Sequence, residues 1–141
     1  MAEVIPGRIS LAGLRKVLQL LLAEDVSIRD LAFILEAILD QSGDEPETLA
    51  EGCRRALRDS LILPYADEEK VIEAVLLNSD EVGETVKRAC EQLEARGMYA
   101  IVVTSPEARR AVKAQLPADA IVLSRAEIPP GYSLRPVAIE S

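Results

Sequence analysis

The stretch Val71-Ile-Glu-Ala-Val-Leu-Leu77 decides the fold, because the rhythm of the chain changes there. It is apolar apart from one glutamate and rich in β-branched side chains, so it reads as a strand. Beyond it the pattern alternates. Asn78-Ser79-Asp80 can cap a helix over about 81–95 that Gly97 closes, and Tyr99 to Val103 is a second strand. Ser105-Pro106 opens another helix with proline at its first position, and Ala120 to Leu123 is a third strand. Strand, helix, strand, helix, strand implies right-handed crossovers and a mainly parallel sheet. A Pro129-Pro130-Gly131 turn then leads to a last strand near Leu134 to Ile139. The short turn predicts that this strand runs antiparallel, and Pro136 within it predicts an edge.

Upstream, every apolar run has helical spacing. After Pro6-Gly7, Ser10 is placed to cap a helix over Leu11 to Ala23 with Leu14, Val17, Leu18, Leu21 and Leu22 on one face, widened by Leu11 and Leu20. A second helix is expected from Ile28 to Asp40. Its start carries Ser27 with Asp30 three residues on, a hydroxyl for an orphan N–H and a carboxylate at the positive end of the dipole. Gln41 to Pro46 supplies a stop and a new start, and a third, more polar helix is expected over Glu47 to Leu61, with Leu49, Cys53, Ala56 and Leu57 inward and Arg54, Arg55 and Arg58 largely on the other side. The expected architecture is α+β, or α/β in its second part. An N-terminal three-helix lobe, 1–63, precedes a small α/β lobe, 64–141, with about four strands. The first two helices are apolar around more of their circumference than a small lobe buries, which would be explained by packing against another domain or subunit.

Composition narrows the function classes. The chain has 141 residues, is 49% hydrophobic and only 3% aromatic, so its core is aliphatic. Its net charge is −8, and no Lys/Arg stripe interleaves with aromatics, so nucleic-acid binding is disfavoured. It has no histidine, which excludes Ser-His-Asp and Cys-His catalysis and the commonest zinc sites. Cys53 and Cys90 stand alone and read as buried thiols of a reducing compartment. No run approaches the ~20 apolar residues of a spanning helix, and Met1 to Pro6 lacks the features of a signal peptide, so a cytosolic chain without membrane contact is expected.

The remaining chemistry is sparse. The turn from Thr104 to Arg110 starts a helix where an anion can sit, but Glu107 repels phosphate and both GxGxxG and GxxxxGK[ST] are lacking. Asp67/Glu68/Glu69 and Glu91/Glu94 lie in a loop and on a solvated face, without the contrasting environments that acid–base pairs need. Glu127, after the third strand and before Pro129-Pro130, lacks a second convergent group and reads as a turn or interface residue. Ser27, Ser105 and Ser124 have no candidate base and read as caps. No catalytic residue, cofactor or metal is expected. A small α/β ligand-binding or signalling module with a helical extension, its pocket near Asn78, Ser105 and Ser124, is the alternative reading.

Two ordered blocks carry a resemblance. Glu24-Asp-Val-Ser-Ile-Arg-Asp-Leu31 with Ile34-Leu-Glu36, and later Ile101 to Arg110, Leu116-Pro117, Ile121-Val-Leu-Ser124 and Glu127-Ile-Pro129, resemble the cytoplasmic region of the FlhA/InvA/LcrD export-gate family of flagellar and virulence type III secretion systems. The blocks correspond to the third and fourth subdomains of that region, the first helical and the second α/β. The membrane half and the first two subdomains have no counterpart here, so the chain is expected to be an excised piece or a truncated relative, and the family's chaperone-docking groove cannot be carried over. The resemblance implies a non-enzymatic component at the cytoplasmic face of a bacterial inner membrane. It also implies a ring and docking of export substrates, chaperones and other export-apparatus proteins. Ser27, Ile28, Arg29 and Asp30 match the first motif and are expected at a subunit or intersubdomain contact. Capping explains Ser27 and Asp30, and packing explains Ile28; only Arg29 is left without a local reason. Arg109, Arg110 and Glu127 match the second block, with a structural or partner-facing role implied. The isolated chain is expected to be a monomer at ordinary concentration.

Overall fold

The computed structural model describes residues 9–137, and two compact units divide between Leu61 and Ile62. In the first, α1 (Leu11–Ala23) is capped by Ser10, whose Oγ accepts from the Gly13 N–H at 3.0 Å, and buries Leu14, Val17 and Leu21. The helix ends in a left-handed residue, Asp25, at φ 61°. The Asp25 N–H donates to Leu22 O at 3.0 Å and the Val26 N–H to Leu21 O at 2.9 Å. This is a Schellman ending, and its customary hydrophobic contact is supplied by Val26 and Leu21, both buried in one core cluster.

The second helix, α2 (Leu31–Leu39), begins three residues later than the sequence predicts, and its cap is Asp30, whose Oδ1 accepts from the Phe33 N–H at 3.2 Å. Ser27 instead accepts from the Arg29 N–H at 3.2 Å, a tight local turn. Short polar side chains compete for the same role, and the one beside the first turn took it. Next comes α3 (Pro46–Ala56), with proline at its start, Glu47 in its first turn and Arg54 and Arg55 in its last, as the helix dipole favours. The predicted third helix is interrupted at Leu57 and resumes as the one-turn α4 (Arg58–Leu61). The Gln41 amide donates to Ala37 O of α2 at 3.1 Å and to Leu49 O of α3 at 3.2 Å. Gly52 leaves room for that bridge, since a Cβ there would collide with the Gln41 side chain.

The second unit contains β1 (Val71–Leu76), α5 (Glu84–Ala95), β2 (Ile101–Thr104), α6 (Arg109–Ala114), β3 (Ile121–Ser124) and β4 (Ser133–Pro136). The sheet order is β3-β2-β1-β4 and every pairing is parallel. Val75, Val102 and Val122 share a core with Ala89, Cys90 and Leu93 of α5 and Val112 of α6. All of β2 is buried, as expected of a central parallel strand. Helix α5 starts at Glu84 behind Gly83 and not at Glu81, because Ser79 is spent on a turn with Glu81. Likewise α6 starts at Arg109, after turns in which Ser105 Oγ accepts from the Ala108 N–H at 3.2 Å.

The expectation of an antiparallel last strand is corrected. β4 lies at an edge but runs parallel to β1, in register Val71↔Ser133 and Ala74↔Pro136. The reason is position: β3 and β4 occupy opposite edges of the sheet, so the intervening Pro/Gly turn joins no hairpin. That turn is closed by the Tyr132 N–H on Pro129 O at 3.2 Å, with Gly131 at φ 94°. The expected extension of the strand to Ile139, and the Pro6-Gly7 boundary, lie outside the described residues.

Candidate protein-interaction site

The loop between α1 and α2 is held on several sides. Its Schellman hydrogen bonds fix the exit from α1, Val26 is buried, Ile28 packs on the core, and Glu24 lies 3.6 Å from the buried guanidinium of Arg54. Arg29 is exposed, and its guanidinium makes no hydrogen bond or ion pair among the described residues. The loop therefore presents one uncommitted cation from a fixed backbone, which lowers the entropic cost of using it in a contact. Beside it, Asp30, Phe33, Leu57, Asp59 and Ser60 line a shallow cleft of about 200 Å³, with Phe33 40% exposed. Of the first motif, Arg29 and Asp30 are thus presented outward, while Ser27 and Ile28 serve the loop itself.

In the second unit the structure separates three residues that the sequence groups together. Arg110 is exposed, whereas Arg109 and Glu127 are 1% exposed and 4.0 Å apart, Nε to Oε2. Of the two roles left open for them, this burial leaves the structural one. The β3 backbone explains it. The Ile121 N–H donates to Ala100 O on the β2 side, so alternate groups, those of Ala120, Val122 and Ser124, point to the free edge of the sheet. Arg109 Nη1 donates to Val122 O at 3.0 Å, and Lys113 Nζ to Ala120 O at 2.6 Å. Glu127 Oε1 accepts from the Ser124 N–H at 3.1 Å, within a capping box that also uses the Ser124 hydroxyl. Two cations four residues apart on α6 and one carboxylate close the edge to strand addition. Spacing in the sequence could have paired Arg109 with Lys113, but only the register shows which carbonyls they meet.

Sequence reasoning missed Arg54, assigned to the outer side of its helix but 3% exposed. It lies four residues after Ala50, on the margin of the apolar stripe, and that spacing was the available signal. At the alternative pocket the buried Thr104 hydroxyl, beside Ser105 and in register with Ser124, has no hydrogen-bond partner among the described residues, while the other groups are engaged. Asn78 accepts from Arg125 at 3.1 Å, Ser105 holds the turn ahead of α6, and Ser124 is the cap of the turn after β3. Among the described residues no group of His, Cys, Asp and Glu could hold a metal ion, and no helix is long and apolar enough to cross a membrane. Cys53 and Cys90 are buried, and both thiols are pushed up to about 11, Cys53 by burial and Cys90 by burial first and then by Glu94, Asp119 and Glu91.

The chain is thus a helical unit followed by an all-parallel α/β unit. The chain belongs to the FHIPEP family, whose sequence profile matches residues 1–82. It is similar to the flagellar biosynthesis protein FlhA of Bacillus subtilis, 29% identical over 139 residues, spanning 79% of this chain and 20% of that protein. Its fold is similar to that of the Chlamydia pneumoniae CdsV protein, with a TM-score of 0.79 at 19% identity, covering 99% of this chain and 49% of that one. The nonameric SctV-C of EPEC superposes with a TM-score of 0.69 at 22% identity, covering 92% of this chain and 48% of that one. The chain thus spans about a fifth of the FlhA relative and about half of these structures. The resemblance to the FlhA/InvA/LcrD export-gate family is established by these matches, and the mainly parallel α/β architecture expected from the sequence is the one observed.

Proposed function

We propose that this chain acts, without catalysis, at the cytoplasmic face of a type III protein export gate, where its helical unit contributes to ring assembly and its surfaces receive export substrates or chaperones. The observation that carries the reading is the family match across the helical unit, the part of the chain that holds Arg29. The similar EPEC SctV-C is nonameric, which supports a ring contact for the longer protein. Arg29, extended from a rigid loop beside the Asp30/Phe33 cleft, is the residue assigned to that contact, with Asp30 at its margin. Arg110, exposed on α6, is a second partner-facing position.

Light scattering across a concentration series, up to millimolar, tests this. The chain is expected to be monomeric at micromolar concentration and to assemble at the upper end, and Arg29→Glu is expected to shift that onset upward by about tenfold. A monomer at every concentration, or assembly indifferent to the charge reversal, removes Arg29 from the interface.

A further inference from the structure

A second cleft, of about 270 Å³, opens at the start of β1 and is lined entirely by residues of the α/β unit. Tyr65 and Tyr99 form one wall, packed edge to face with ring centroids 5.0 Å apart and planes at 89°. Tyr99 is 57% exposed and Met98, also lining it, 41%. The chain has only three tyrosines and two methionines, so this corner concentrates the side chains that dominate protein-binding surfaces. The paired rings are rigid and need little ordering on binding.

Charge defines the occupant. Asp67 lines the cleft, and Glu68 and Glu69 follow it in the exposed loop. One Asp67 oxygen accepts backbone N–H groups of Glu69 and Val71, at 2.8 and 2.9 Å, which fixes the loop. None of these three carboxylates pairs with a cation among the described residues. Of the nearby cations, Arg135 pairs with Glu73 at 3.1 Å and Lys70 lies over the Tyr132 ring at 5.6 Å, so the three carboxylates are set against one exposed cation, Arg96, which precedes the lining residues Gly97 and Met98. An acidic ligand is therefore repelled and a basic one attracted.

We propose that this cleft docks a segment of a partner protein in which a bulky apolar side chain is followed within a few residues by lysine or arginine. The apolar side chain enters against Tyr65, Tyr99 and Met98, and the cation meets Asp67 to Glu69. This site does not depend on ring assembly, and its test is separate from that of Arg29.

The experiment is an amide NMR titration of the labelled chain with a capped hexapeptide, acetyl-Gly-Leu-Gly-Lys-Lys-Gly-amide, and with its counterpart carrying two glutamates for the two lysines. The lysine peptide is expected to shift the amides of Tyr65, Asp67, Met98 and Tyr99 saturably in the millimolar range, and the glutamate peptide to leave them in place. The double charge reversal Glu68→Lys with Glu69→Lys, which touches no packed side chain, is expected to weaken binding by at least about tenfold, as is Tyr99→Ala. Equal response to both peptides, shifts elsewhere, or no shift at several millimolar overturns the proposal. Shifts at these residues that grow with protein concentration alone overturn it in favour of a second copy of the chain.

Discussion

Asp25 shows how a single residue can be set against its own preference. At φ 61° its Cβ crowds the backbone, a conformation glycine adopts without that cost, yet the Schellman ending of α1 demands it. Asp25→Gly is expected to stabilise the helical unit by about 0.5–1 kcal/mol, read as a rise in urea midpoint with unchanged m-value. The two thiols make a different prediction. Both are neutral in the fold up to about 11, while an unfolded chain ionises near the ordinary value of 9.0. The unfolded state therefore loses protons first as pH rises, so stability falls between about 9 and 11 and is fully present below. Urea melts at pH 8 and pH 10 should show that loss, and Cys53→Ser with Cys90→Ser should flatten it. Native thiols should react with a disulfide reagent at neutral pH only as fast as the units open.

At the scale of the element, the free edge of β3 belongs as much to α6 as to the sheet. Arg109 and Glu127 are mutually neutralised and hydrogen-bonded, so removing one strands the other in the interior. Arg109→Met and Glu127→Gln are each expected to destabilise by about 3–5 kcal/mol, and the double variant by less than their sum, measured by a denaturation cycle. Additive losses would mean that the two residues act independently. Arg109→Met also removes the Nη1 donor to Val122 O and with it part of the cover on the β3 edge. The opposite edge is guarded otherwise, since Pro136 of β4 has no N–H to offer.

For the molecule as a whole, net charge sets the terms of assembly. Copies carrying −8 repel, so self-association must draw on local contacts strong enough to overcome that field. At 1 M salt the Debye length falls to about 3 Å and long-range repulsion is gone. Assembly of the chain is expected to strengthen with salt, and the deficit of Arg29→Glu to persist at 1 M if Arg29 makes a specific contact. Sedimentation velocity at low and high salt distinguishes this from a deficit caused by total charge, which salt would erase.

The change of rhythm at Val71 was legible because periodicity is local, and so were the helical first part, the β-α-β-α-β order and the Ser10 cap. Arg29 stands out in the sequence as the one motif residue that capping and packing leave unexplained, and in the structure it is exposed. The direction of β4 was not legible: a Pro/Gly turn describes only its own residues, while direction depends on which strand is already beside the open position. Nor was the fate of Arg109 and Glu127, because a charge in sequence carries no sign of burial until register places a carbonyl in front of it. Sequence by itself determined the elements and the family, through spacing and motif. Tertiary structure alone decided which polar groups were spent inside and which were left exposed, because burial and pairing depend on residues far apart in the chain.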